Sequence, residues 1–277
     1  MIGSAYWIAA ARARESERDD RLFDDPYADA LAGDRGRTIL AVSERATGGE
    51  NPFLPVRTRF IDDAIAAELD AGASQVVLLG AGLDTRPYRL ALSSGVDWYE
   101  LDRPEIFAEK QRVLDAAGAV PRCRRITVPV DLTGDWLSPL HAAGFDEDRR
   151  TIWIAEGLVF YLAPGAVHAL LRTAAQAAAV GSALVADVMS ETGLRRPAMD
   201  AYRRYAADTG RPPPFGHDDP SALLVAAGWM IDTLTWAGAP DANFGRFPHQ
   251  LPAGSVLDRP GERAHLIVAR RGPDRPW

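Results

Sequence analysis

Between Ser74 and Val188 short β-branched runs alternate with stretches of helical period, and this alternation admits few folds. Val76-Val77-Leu78-Leu79 is a continuous apolar run, as a strand covered on both faces requires. Ahead of it, Phe60, Ile61, Ala64, Ile65 and Leu69 fall on one helical face, and Gly72 closes that helix. Further strands are predicted over Val96 to Leu101, Arg125 to Val130, Thr151 to Ala155 and Ala183 to Val188. Helices are predicted from Pro104 to Gly118 and from Pro164 to Gly181, each with proline in the first turn and glycine at the stop. Asp219-Pro220 caps another helix, and Trp229 to Trp236 with Ala264 to Arg270 read as an antiparallel edge on a mostly parallel sheet. The fold class is therefore α/β.

Two segments stand outside this alternation. Residues 1–56 are helical in pattern and read as an N-terminal lid; residues 57–277 read as the core, with a lid insertion at 190–218. The whole is expected to be one structural domain. Net charge is −7 with no basic run, which argues against a nucleic-acid partner. One cysteine, Cys123, allows neither an intrachain disulfide nor a thiolate metal site. No long apolar run or signal-type flank is present, so the expectation is a cytoplasmic protein without a membrane partner. Lys110 is the single lysine, which we read as compositional bias toward arginine.

Chemistry is suggested by the loop after the first strand, Leu79-Gly80-Ala81-Gly82-Leu83-Asp84-Thr85-Arg86. Glycines there let backbone approach a ligand closely. Asp102, twenty residues beyond Gly82, ends the second strand, where a carboxylate can accept ribose hydroxyls. A dinucleotide fingerprint would carry a third glycine where Thr85 stands, and Asp84 would repel a diphosphate. The balance tips from NAD toward S-adenosylmethionine.

Four ordered blocks then carry a resemblance. They are Phe23-Asp24-Asp25-Pro26-Tyr27-Ala28 with Val56-Arg57-Thr58-Arg59-Phe60, the glycine-loop block, Tyr99-Glu100-Leu101-Asp102-Arg103-Pro104, and Ala155-Glu156-Gly157-Leu158-Val159-Phe160-Tyr161-Leu162. Together they resemble the leucine carboxyl methyltransferase family, in its bacterial branch that includes polyketide O-methyltransferases, from about residue 5 to 188. The resemblance implies a class I S-adenosylmethionine-dependent methyltransferase (Rossmann-like) with a seven-stranded sheet of order 3-2-1-4-5-7-6, strand 7 antiparallel. It implies S-adenosyl-L-methionine as cofactor, met by Gly80, Ala81, Gly82, Asp102, Asp131, Leu132 and Glu156, with Arg57 and Arg12 toward the cofactor carboxylate.

Alternatives stay open at several positions. Asp131 would equally cap a turn, Arg59 would serve a salt bridge, and Tyr161 is a core aromatic as readily as a catalytic contact. His217 is the other catalytic candidate, although a histidine in a Pro-rich loop is ordinarily solvated. Arg195, Arg196, Tyr202 and Tyr205 would grip an anionic aromatic acceptor, or simply form an amphipathic helix. No metal-ligand spacing is present, so no metal is expected. The expected function is O-methylation of a small-molecule carboxylate or hydroxyl, an aromatic acid or phenol, in natural-product biosynthesis. Its rivals are an NAD-linked oxidoreductase and a non-catalytic binding protein of the same fold.

Overall fold

The computed structural model describes residues 2–47, 49–196, 199–247 and 263–273. Three helices come first: α1 (Ile2–Ser16), α2 (Ala28–Thr47), kinked at Gly33, and α3 (Phe53–Asp70). There follow β1 (Gln75–Leu79), α4 (Arg86–Arg89), β2 (Asp97–Asp102), α5 (Pro104–Ala116), β3 (Arg124–Pro129), α6 (Leu137–Ala142) and β4 (Thr151–Ala155). After a 3-10 turn at Val159–Tyr161 come α7 (Pro164–Gln176), β5 (Ala183–Met189), α8 (Glu191–Leu194), α9 (Asp200–Asp208), α10 (Pro220–Ala226), β6 (Trp229–Trp236) and β7 (Ala264–Arg271).

The strands form one seven-stranded sheet of order β3-β2-β1-β4-β5-β7-β6. β1, β2 and β3 run parallel, as do β4 and β5, whereas β7 is antiparallel to both β5 and β6. This is the class I methyltransferase topology, and all seven strands fall within a residue or two of their predicted bounds. α7 stops at Gln176, short of the expected Gly181. The two-residue tail Ala177–Ala178 is buried without being helical.

By packing, the chain forms two compact units. One comprises Met1–Asp62 and Ser74–Phe145, the other Asp63–Ala73 and Asp146–Trp277. In the first, Ala9, Ala10, Leu31, Ala32, Leu40 and Leu54 from the N-terminal helices share a core with Leu83, Tyr88 and Leu114. The α1–α2 contact is close enough that a methyl group at Gly36 would run into the Tyr6 carbonyl. In the second unit, the Trp229 indole N–H donates to the Leu171 carbonyl at 3.0 Å, tying β6 to α7. Asp219 caps α10 by accepting from the Ala222 N–H, as its sequence predicts. No helix of the described residues is long and apolar enough to cross a membrane.

Candidate functional site

Parallel pairing sets the geometry at the carboxyl ends of the first three strands. Leu79 lies opposite Leu101, and Asp102 lies opposite Pro129. Gly80, Asp102 and Val130-Asp131 therefore emerge side by side, on strands about 4.8 Å apart. This is where an open α/β sheet receives a ligand.

The glycine loop is fastened at nearly every residue. The Gly80 and Ala81 N–H groups both donate to the Leu101 carbonyl, at 2.9 and 3.0 Å, and the Asp84 N–H donates to the Ala81 carbonyl at 3.0 Å. The Gly82 N–H donates to Asp102 Oδ2 at 2.7 Å, and the Arg103 N–H donates to Asp102 Oδ1 at 2.7 Å. Gly80 and Gly82 both take positive φ, at 72° and 49°, where a side chain would be strained. Each Asp102 oxygen has spent one lone pair on the backbone, which leaves acceptor capacity for a pair of hydroxyls. Burial pushes the Asp102 carboxyl above its usual range despite those two N–H groups.

That arrangement suits an adenosine better than a pyrophosphate, for a reason other than the predicted one. Asp84 does not stand as a bare charge: it accepts from the Arg86 N–H at 2.8 Å and pairs with the Arg86 guanidinium. The expected repulsion of a diphosphate by Asp84 is therefore corrected to a neutralised ion pair. The loop N–H groups that a pyrophosphate would need are instead spent on Leu101, Asp102 and Ala81.

Behind the loop lies a second layer of charge. Arg12 donates through Nε to Asp25 Oδ2 at 2.8 Å and through Nη2 to the Leu83 carbonyl at 2.6 Å. The Thr85 hydroxyl also donates to Asp25 Oδ2, at 2.6 Å. Burial raises the Asp25 carboxyl, but Arg12, Arg89 and Thr85 outweigh it, so the group sits below the ordinary carboxylate range. Asp62 accepts from Arg86 Nε at 2.6 Å and from Arg89 Nη1 and Nη2 at 2.6 and 2.8 Å. Arg57 is buried with its guanidinium 5.2 Å from the centre of the Phe53 ring. Arg59 donates to the Leu22 carbonyl at 3.1 Å.

Beneath β2, Lys110 and Glu100 form a fully buried pair at 2.8 Å, and Arg125 Nη2 meets the other Glu100 oxygen at 2.8 Å. Burial raises the Glu100 carboxyl, but the two cations outweigh it and hold it below its usual range. Lys110 is thus a buried counter-ion, not mere composition. Burial pushes the Cys123 thiol up to about 12, so it is no nucleophile.

Asp131 is exposed and accepts from both the N–H and the hydroxyl of Thr133, at 2.9 and 2.7 Å. It caps that turn, and the Thr133 N–H lowers its carboxyl first of all. Leu132 beside it is half-buried.

In the other unit, Glu156 is half-buried directly after β4. The Gly157 N–H donates to Asp187 Oδ1 at 2.6 Å, so Asp187 fixes the turn that presents Glu156. Phe160, Tyr161 and Tyr202 cluster, with ring centres 4.8 Å apart for Phe160–Tyr161 and Phe160–Tyr202, and 6.2 Å for Tyr161–Tyr202. The Phe215 N–H donates to the Phe160 carbonyl at 3.0 Å. His217 Nδ1 accepts the Asp219 N–H at 3.1 Å, which puts the ring proton on Nε2. Arg195 is exposed and pairs with Glu191, while Arg196 is half-buried and its carbonyl accepts from Arg203. The Tyr205 side chain lies outside the described residues. No group of three or more His, Cys, Asp or Glu side chains among the described residues is placed to hold a metal ion.

The sequence reading missed Asp25, Thr85 and Asp187. Asp187 left a signal, a lone carboxylate inside the apolar run Ala183–Met189 that must have a partner. Asp25 and Thr85 left none, because their bond joins residues sixty apart.

Comparison with known proteins gives the chain a family and a shared fold. Residues 5–175 match the sequence profile of leucine carboxyl methyltransferases. A protein from Mycobacterium sp. strain KMS, provisionally named an S-adenosyl-L-methionine-dependent methyltransferase, is 34% identical over 97% of this chain and 94% of its own. A relative from Frankia alni with the same provisional name is 44% identical over 69% of this chain and 70% of its own. Among solved structures, a DUF574-family protein from Streptomyces avermitilis shares the fold, with a TM-score of 0.65 and 17% identity over 94% of this chain and 99% of its own.

Proposed function

The chain belongs to the leucine carboxyl methyltransferase family and uses S-adenosyl-L-methionine, and from that premise we propose that it methylates an oxygen of a small aromatic acceptor. The oxidoreductase reading is set aside with the dinucleotide. When bound, the cofactor supplies an electrophilic methyl group on a sulfonium. The chain's own task is then to fix that group and an acceptor oxygen in line at attack distance.

In this reading Asp102 accepts the ribose hydroxyls while Gly80, Ala81 and Gly82 bring backbone beneath the adenosine. Leu132 borders the adenine with Asp131; for Glu156, after β4, it is the family resemblance that implies a role at the methionine moiety. Arg57 serves the cofactor carboxylate. Arg12, predicted for the same task, has its guanidinium engaged by Asp25 and the Leu83 carbonyl, and we assign it to holding the loop.

The observation that carries the acceptor class is the three-ring cluster of Phe160, Tyr161 and Tyr202, which offers π faces to a planar ligand. We favour a carboxylate or an acidic phenol as the reacting group. A carboxylate is already ionised at neutral pH and asks for no general base. His217, with Nδ1 occupied by the Asp219 N–H, is not poised to supply one. Arg195 and Arg196 would attract the acceptor's negative charge, and the net charge of −7 does not favour a nucleic acid. The reaction fits natural-product biosynthesis.

The test is incubation with isotope-labelled S-adenosylmethionine and a panel of aromatic acids, phenols and aliphatic acids, read by mass spectrometry. Label on an aromatic acid or phenol oxygen is expected. Turnover confined to aliphatic acids, or label on nitrogen or carbon, would remove the proposal.

A further inference from the structure

We propose that Asp25 is a positioning residue for the cofactor, coupling the docking of α1 to the shape of the glycine loop. The inference rests on placing the cofactor at the Gly80–Asp102 end of the sheet.

Asp25 lies in the connection between α1 and α2, and its side chain is wholly buried. One of its oxygens accepts from both Thr85 Oγ1 and Arg12 Nε, at 2.6 and 2.8 Å. Arg12, on α1, in turn donates to the Leu83 carbonyl at 2.6 Å. A single carboxylate thus holds the hydroxyl at the end of the loop and the arginine that holds the loop's backbone. Its own position is fixed from α1 as well. The Asp25 N–H donates to Ser16 Oγ at 2.8 Å, and the Ser16 hydroxyl donates to the Arg12 carbonyl at 2.9 Å.

The loop is therefore gripped from two carboxylates. Asp102 takes the Gly82 N–H, and the Asp25–Arg12 pair takes Leu83 and Thr85. The Ala5 methyl of α1 lies 3.6 Å from where a Gly82 side chain would begin, so α1 lies close beside the loop. Buried, charge-assisted bonds of this kind are strong when complete and costly when broken. Any ligand that needs the loop in this shape must bind more tightly when α1 is docked. By reciprocity it must then hold α1 in place.

The full chain is titrated calorimetrically with S-adenosylhomocysteine, and hydrogen exchange of α1 amides is followed with and without it. Thr85→Val removes one hydroxyl at constant shape and leaves the Arg12–Asp25 pair intact, so the chain should fold; Thr85→Ser restores the bond. Ile65→Val, a core truncation on α3, controls for lost stability. In the wild type, ligand should slow α1 exchange at least tenfold. Thr85→Val should weaken ligand about tenfold, abolish the α1 protection and raise KM for the cofactor, with kcat within threefold. Thr85→Ser and Ile65→Val should bind as the wild type does. Wild-type affinity in Thr85→Val, or α1 exchange indifferent to ligand, would overturn the proposal. Gly82→Ala separates the two readings. If it weakens binding and Thr85→Val does not, only the role of Asp25 fails. If Gly82→Ala is also silent, the cofactor has been placed at the wrong end.

Discussion

The glycine-loop region and the segment from Glu191 to His217 spend their charges in opposite ways. Around the loop, Arg12, Asp25, Asp62, Arg86, Arg89, Glu100 and Lys110 are buried and joined across long sequence separations. In the later segment two pairs are local, Arg195 with Glu191 on the surface and half-buried Arg203 with half-buried Asp200, each within one helical turn. Buried networks resist change, because losing one partner strands a charge in low dielectric. Exposed pairs within a turn contribute about 0.5 kcal/mol or less, so their residues exchange freely. A cofactor common to a family calls for the first kind of construction. On the proposed reading, the acceptor side has the second.

This contrast breaks first, and most severely, at Glu100. Glu100→Ala leaves Lys110 and Arg125 without their carboxylate and should cost about 3–5 kcal/mol in a urea melt. A loss below about 1 kcal/mol would show that the buried network does not hold the loop region. Next comes Asp102→Ala, which removes a charged acceptor of the loop and, on the proposed reading, of the ligand. Charged hydrogen bonds are worth about 1.5–3 kcal/mol each, so affinity for S-adenosylhomocysteine should fall at least about tenfold by calorimetry.

Acid sharpens the contrast without mutation. Asp25 and Glu100 both sit below their unfolded values of 3.8 and 4.5, so the unfolded chain binds protons first as pH falls. Their stabilisation is complete above those values and drains away below them. Asp102, raised instead, costs stability when ionised, and that cost is relieved as pH falls. Urea melts should therefore lose a little stability below about pH 6.5, where the unfolded chain protonates His265 before the buried imidazole does, and decline more steeply below about 4.5, with a shallower low-pH decline in Glu100→Gln. The smallest effects belong to the later segment. Arg195→Ala should shift stability by less than about 0.5 kcal/mol. His217→Ala should keep kcat within a few fold in a methyl-transfer assay, whereas a thousandfold loss would mean that the acceptor needs this base.

The same division governed what could be read from the chain. β1, β4 and β5 were legible as apolar runs, and β2, β3, β6 and β7 as stretches rich in β-branched or aromatic residues, each bounded by glycine, proline or a polar turn. Gly80, Gly82 and Asp102 were legible because a strand end and a fixed spacing place them. Asp84 was misjudged, since its neutralisation by Arg86 depends on a turn that brings i and i+2 together. Lys110 looked like composition because nothing local says that it and Arg125 converge on Glu100. Asp25 was visible only as part of a family block, and its bond to Thr85 spans the fold.

A crystal structure of the chain with S-adenosylhomocysteine tests the central claim most directly. Both ribose hydroxyls are expected within hydrogen-bond distance of the Asp102 carboxylate, with Gly80–Gly82 beneath the nucleoside and the Thr85–Asp25 bond intact. A nucleoside bound elsewhere, with Asp102 touching only Gly82 and Arg103, would contradict it.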